Sequence, residues 1–456
     1  MPDGWFSPRR LLLPGFVALV FAGIVHASVF TVASSLPPGW LLLTCAAIGV
    51  TAVAPRFPQV SLAAYMVLAS GVPRYGKDFE VILRSGALEW ICVLGVLGWV
   101  LWCVQTRSTP PWRTYLFAAM TAFMVWLGIA WVVAQNAGWA SEPFPGHNPV
   151  QFLHGFSLFL IASNTLGDER ASWLMALTLC LALLLRGLVQ GVSGLYLETD
   201  LTALAAMVLP LALMGAWCAR GRGLRIAFVV AGMGMLAIIA IGQNRAAAVG
   251  LIAALATLLW HSKHKLKAMG VALGIAAVLA FAFPMGDYFN RFRVLWDPSA
   301  QHKTASLDRG TIEGRLTLWA GGRDLIQDNP WFGVGPGNFP HVIGRYRQGT
   351  DHYVAHNNYM NTAAEAGVPG LMLYLALFAG ALMVLERSLR SASDERLRPL
   401  ARMLQASLIG YLVTGMFISR QDMALAYLLV GWALALSVGS ARRPDPLRGS
   451  RTVSSA

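Results

Sequence analysis

Charged side chains are scarce in this sequence: Asp, Glu, Lys and Arg make up 12% of its 456 residues, about half the share found in a soluble globular protein. That scarcity excludes a chain of two or three soluble domains, which the length alone would allow. Cysteine is sparse as well. Cys45, Cys92, Cys103, Cys180 and Cys218 all lie within or beside apolar segments, so the hydrophilic parts of the chain hold no disulfide framework. Nucleotide and hydrolase signatures are missing too. No P-loop, GxGxxG, HExxH or GxSxG stands in a suitable context, and GVGPG at 333–337 has neither a lysine nor a preceding strand, so it reads as a turn.

What the sequence does have is apolar length. Hydrophobic residues make up 56% of the chain, and the mean hydropathy is +0.57. Apolar segments lie near 11–34, 40–54, 58–72, 85–104, 114–134, 151–165, 172–192, 201–218, 225–242, 246–260, 267–284, 369–386, 400–418 and 422–440, most of them near bilayer-spanning length. Sixteen tryptophans suit two interfacial belts. Arg9 and Arg10 before the first run resemble a signal peptide, but further runs follow at once, so it reads as an uncleaved first helix. The pieces at 40–54 and 58–72 are short, with Pro55 and Pro58 between them, and are either full or broken helices. The expected fold is an all-α polytopic membrane protein of twelve to fourteen transmembrane helices.

The formal charge of +13 would suggest nucleic acid in a soluble protein; here it reads as lysine and arginine collected in cytoplasmic loops, with no nucleic-acid partner. With the N-terminus in the cytoplasm, one side receives Arg107, Arg113, Arg220, Arg222, Arg225, Lys263, Lys265, Lys267, the 387–402 arginines and the basic tail. Both termini are then cytoplasmic, and 285–368 faces the periplasm of a Gram-negative cell. The expected domains are a transmembrane bundle at 1–284, a periplasmic loop at 285–368, further transmembrane helices at 369–440 and a cytoplasmic tail at 441–456. The long loop is expected to be mainly helical. Residues 311–328 show helical spacing, with Leu318, Trp319 and Leu325 on one side and Pro330 at the exit, and 356–366 make a short helix that stops at Gly367. No cytoplasmic segment is large enough to bind ATP, so any reaction must draw on an activated substrate in the membrane.

A few polar residues stand out against this background. Arg245 opens an apolar run at GQNRAAAVGL; a cation there opposes the helix dipole, so it either meets an anion or snorkels at an interface. Arg315 is read on the loop helix opposite the Leu and Trp face, as a solvated charge or a functional one. His356 precedes Asn357 and Asn358 at a helix start, where the dipole favours a neutral imidazole able to take a proton, though a lone histidine is often structural. Arg186 lies near the outer end of its run, where it is either functional or snorkelling. Glu198 and Asp200 form a Glu-x-Asp pair that could bind a divalent metal or be an accident of spacing.

In combination these residues resemble the O-antigen ligase and O-antigen polymerase superfamily. The resemblance rests on the isolated Arg245, on RLTLWAGGRDLIQDNPWFGVGPGNF from Arg315, and on AHNNYMNTAAEAGVPGLMLYL from Ala355, covering roughly residues 240–385. It implies a type C-like membrane glycosyltransferase with an undecaprenyl-diphosphate glycan as donor and, in ligases, a sugar hydroxyl of lipid A–core oligosaccharide as acceptor. It implies Arg245 and Arg315 as the essential arginines and His356 as the essential histidine. It also implies no metal and no cofactor, an expectation that the Glu198–Asp200 pair challenges. Arg186, Asn357, Arg245 and Arg315 are the expected substrate contacts.

The ligase stands first. A polymerase and a protein O-oligosaccharyltransferase share donor and mechanism, but the 135–150 loop is short and no soluble domain follows residue 440. A lipid-linked-glycan transporter would concentrate polar residues near the midplane and show repeats, which this sequence does not. Topology is tested by placing Lys303→Cys and Ser450→Cys singly in a cysteine-free background. With only the outer membrane permeabilised, an impermeant thiol reagent is expected to label position 303 and not 450.

Overall fold

The computed structural model describes residues 53, 56–71, 87–139, 149–192, 199–242, 244–282, 305–390 and 395–442. Every apolar segment read from residue 58 onward is a helix; the segments at 11–34 and 40–54 lie outside the described residues. The helices are α1 (Gln59–Gly71), α2 (Ala87–Thr106), α3 (Tyr115–Asn136), α4 (Val150–Thr165) and α5 (Glu169–Val192), then α6 (Thr199–Cys218), α7 (Arg222–Gly242), α8 (Arg245–Trp260) and α9 (Lys265–Ala282). The loop contributes α10 (Ala305–Asp328) and the single turn α11 (Phe339–Val342), and the chain returns through α12 (Asn358–Arg390), α13 (Arg398–Thr414) and α14 (Ala424–Arg442). Among the described residues there are no strands, and six helices are long and apolar enough to cross a bilayer.

The surface identifies the solvent. On α2, Val93, Leu97, Val100, Leu101 and Val104 are exposed along one face, and on α3 so are Val125, Ile129 and Val132. In water such stripes would drive aggregation; in a bilayer they meet lipid tails. Polar groups turn inward instead, and α6 and α14 are the most enclosed, with Leu201 to Ala212 and Leu425 to Leu436 almost wholly buried. This is an all-α polytopic membrane protein.

Basic residues gather at one end. His261 at the end of α8 approaches Glu386 on α12 at 4.0 Å, Gln405 on α13 donates to Glu386 at 3.2 Å, and Arg225 Nε donates to Ala219 O at 2.7 Å. The first turns of α6, α8 and α12 lie at the other end, together with the turn between α13 and α14.

The described part of the loop, from residue 305, is folded and docked there. Its core joins Leu318 and Leu325 of α10 to Val334, Phe339, Val342, Ile343, Ala355 and Ala364. α10 starts at Ala305, earlier than the helical spacing shows, because the preceding turns carry no apolar stripe. The short helix expected at 356–366 begins at Asn358 and ends at a kink at Gly367, where φ is 71° and ψ 178°. The kink strands the carbonyls of the last turn, and the glycine turn takes them. Val334 N–H donates to Ala364 O and Gly335 N–H to Glu365 O, both at 2.9 Å, and Trp126 Nε1 of α3 donates to Ala366 O at 2.8 Å. Phe332 stacks on Trp126, and Arg345 lies over Trp139 just beyond α3, 4.8 Å from its ring centre.

A side chain at Gly367 would run into the Trp331 carbonyl, and the backbone there is left-handed. Gly367→Ala is therefore expected to cost at least about 1–3 kcal/mol, seen as a lower midpoint of thermal unfolding in detergent. Gly128→Ala on the open face of α3, where a Cβ meets nothing within 4 Å, is the control and should leave the midpoint unchanged or slightly raised.

Candidate functional site

The site is built around a helix start. Asn357 caps α12: its Oδ1 accepts from the N–H groups of Tyr359 at 2.9 Å and Met360 at 3.0 Å. His356, immediately before the cap, has a φ of 52°, a left-handed conformation that a β-carbon disfavours and that the surroundings must hold. They do so on both sides. Ala355 N–H donates to Asn361 Oδ1 at 3.1 Å, and Ala355 O accepts from Trp319 Nε1 at 2.8 Å. Asn357 N–H donates to Ser419 Oγ at 3.2 Å, and that hydroxyl donates to Asn361 Oδ1 at 3.0 Å. Asn358 N–H reaches Gly415 O at 2.7 Å.

Arg315 and Arg245 come to this point from separate helices. Arg315 precedes Leu318 and Trp319 by three and four residues, so it continues the face that packs inward. The sequence reading set it opposite that face; the structure corrects this, and its side chain is half-buried. Burial, and secondarily the charge of Arg245, lower the pKa of Arg315. Arg245 is the first residue of α8, whose start Asn244 caps by accepting from Ala246 N–H at 2.9 Å. α8 lies close against α13 because Gly250 leaves room for Thr414 and the Gly410 backbone. Ala203, Ala246 and Ile418, with Phe417 beside them, form a small apolar cluster that ties the first turns of α6 and α8 to the 415–423 turn.

Burial, then the charge of Arg315, pull the His356 pKa down to about 4, against an opposing pull from Asp200. The imidazole is therefore neutral at neutral pH and able to accept a proton. Asp200 itself is engaged by Arg420, whose Nε donates to Asp200 Oδ2 at 2.8 Å while Nη2 contacts the same oxygen. Both are buried, and breaking such a pair by removing one partner costs about 3–5 kcal/mol. Glu198, the other half of the Glu-x-Asp pair, lies outside the described residues.

Arg420 and Ser419 join this cluster of contacts, and the sequence alone did not single them out. The signal was present in Ser-Arg-Gln-Asp at 419–422, a polar quartet between two apolar runs, which reads as a span break unless its side chains are seen pointing inward. Arg186 is not snorkelling: it is buried on α5 and lines a cavity of about 60 Å³ with Tyr65, Gln151, Leu204, Val208 and Met423. Through α6 that cavity neighbours the site, since Asp200 stands one turn before Leu204. Asn357, expected to touch substrate, uses its side-chain oxygen to cap α12; its amide end is what can donate to a bound molecule.

The architecture defines a class: a multi-pass membrane protein with two arginines and a neutral histidine converging at one end of the bundle. Residues 232–375 match the family model described as O-antigen ligase, and over this stretch the chain is similar to that family. No curated protein matches the chain. The family match includes Arg245, Arg315 and His356, whereas Asp200 and Arg420 fall on either side of it.

Carbethoxylation by diethyl pyrocarbonate requires a neutral imidazole, so its rate at His356, followed by peptide mass spectrometry, reads that residue's pKa. The midpoint is expected near 4. Arg315→Gln removes a neighbouring positive charge and should move it upward, short of the unperturbed value because burial remains.

Proposed function

We propose that this protein is an O-antigen ligase of the inner membrane, with both termini in the cytoplasm. It would transfer a glycan from undecaprenyl diphosphate to a sugar hydroxyl of lipid A–core oligosaccharide at the periplasmic face. One observation carries the reading: Arg245 at the start of α8, Arg315 within α10 and His356 just before α12 form an electrostatic chain at the end opposite the basic loops, Arg245 acting on Arg315 and Arg315 on His356. The positive-inside rule supports assigning that end to the periplasm.

In this reaction the acceptor oxygen attacks the anomeric carbon while the bond from that carbon to the diphosphate oxygen breaks. The electron pair leaves with undecaprenyl diphosphate, and the acceptor proton passes to the His356 imidazole. Attack opposite the leaving group inverts the anomeric centre. Charge grows on the diphosphate as the bond breaks, and Arg245 and Arg315, partly desolvated, stabilise it by paired hydrogen bonds. Arg186 meets the donor deeper in the membrane, and Asn357 orients a substrate oxygen through its amide.

The test is purified protein with an undecaprenyl-diphosphate glycan and rough lipopolysaccharide, read as laddering on a gel. His356→Ala is expected to lose roughly 10²–10⁴-fold in turnover with donor binding nearly unchanged. Arg245→Lys and Arg315→Lys should weaken both, since a point charge cannot reproduce the guanidinium fork. Full turnover in His356→Ala with wild-type stability would remove the base assignment.

A further inference from the structure

We propose that Asp200 is a positioning residue for His356, acting through Arg420 and Ser419. The inference rests on the reading of His356 as the base, and the geometry behind it is a continuous chain of contacts. Asp200, in the first turn of α6, holds the Arg420 guanidinium through Nε and Nη2. The Arg420 backbone is fixed on both sides: its N–H donates to Asn358 Oδ1 at 2.5 Å, and its carbonyl accepts from Tyr411 Oη at 2.9 Å. Next to it, Ser419 accepts from the Asn357 N–H and donates to Asn361, which in turn accepts from the Ala355 N–H. The residues before and after His356 are thus both tied to a turn that a carboxylate on another helix holds in place.

Asp200 has a second effect. The charged groups facing His356 are Arg315 of α10 and Asp200 of α6, with Arg245 of α8 acting on Arg315 and Arg420 of the 415–423 turn bound to Asp200. Among the described residues Asp200 is the negative one facing His356, and it opposes the downward pull of burial and of Arg315. The pair lies outside the segment that matches the family model.

The experiment combines His356 carbethoxylation, turnover and thermal stability in the full-length protein. Asp200→Asn is expected to lower turnover by up to about 10²-fold, the cost of misplacing a reacting group, with donor KM little changed. It should also move the carbethoxylation midpoint to lower pH. Ser419→Ala, which changes no charge, should lower turnover without moving the midpoint. Asp200→Glu keeps the charge and displaces Arg420, so its midpoint should stay near wild type while turnover falls; it decides the matter if Asp200→Asn does not fold. An unmoved midpoint in folded Asp200→Asn, or full turnover in Asp200→Glu, would overturn the proposal. The midpoint is read without turnover. A shifted midpoint alongside an active His356→Ala would therefore show that Asp200 acts on His356 while rejecting the base assignment.

Discussion

A single acceptor, the carboxamide oxygen of Asn361, joins the three parts of the site. It receives the Ala355 N–H from the loop and the Ser419 hydroxyl from the α13–α14 turn, while belonging to α12 itself. Asn361 is fully buried, so an unmet donor there would bear its whole desolvation penalty. This is why the loop cannot drift from the bundle without exposing polar groups to an apolar interior. His356, between two residues so tied, inherits a defined position although its own backbone conformation is unfavourable.

Charge is organised by the same economy of solvation. Arg245, Arg315 and Arg420 approach one end of the bundle, and Asp200 is committed to Arg420. Two partly desolvated arginines that act on each other repulsively favour an anion beside them, and under the proposed function that anion is the donor diphosphate, whose several oxygens suit two planar forks. The starts of α6, α8 and α12 add the positive ends of three helix dipoles. The imidazole in this field stays neutral, held so in part by the Arg315 charge that the proposed mechanism assigns to the leaving diphosphate.

Much of this was legible in the sequence, and what was missed has physical causes. Apolar runs fixed the helices because bilayer-length hydrophobicity leaves few alternatives, and Gly367 could be read as a stop because glycine readily adopts the conformation needed there. Arg245, Arg315 and His356 were visible as isolated polar residues in a recognisable order. Arg315 was set on the wrong face of its helix because an arginine beside Leu318 and Trp319 looks like a solvated edge until the loop folds over it. The pairing of Arg420 with Asp200 was not legible, since the two lie 220 residues apart in sequence and no local periodicity links them.

The kink at Gly367 explains why one long element serves two environments. From Asn358 to Ala366 the chain packs against the loop with Asn361, Thr362, Ala364 and Glu365 buried, and beyond Gly367 it runs as an apolar span with Met372 and Met383 exposed to lipid. An unbroken helix would have to aim its start along the axis of the span. Ending the first segment frees its carbonyls, and these are what the GVGPG turn binds. The turn in turn carries Phe339, whose N–H reaches Glu365 Oε1 at 3.4 Å, while Gln421 Nε2 reaches Glu365 Oε2 at 3.1 Å. Glu365 therefore bridges the glycine turn to the residue next to Arg420. The break in α12 that lets the loop dock is thus also connected, through Glu365 and Gln421, to the turn that holds the backbone of His356.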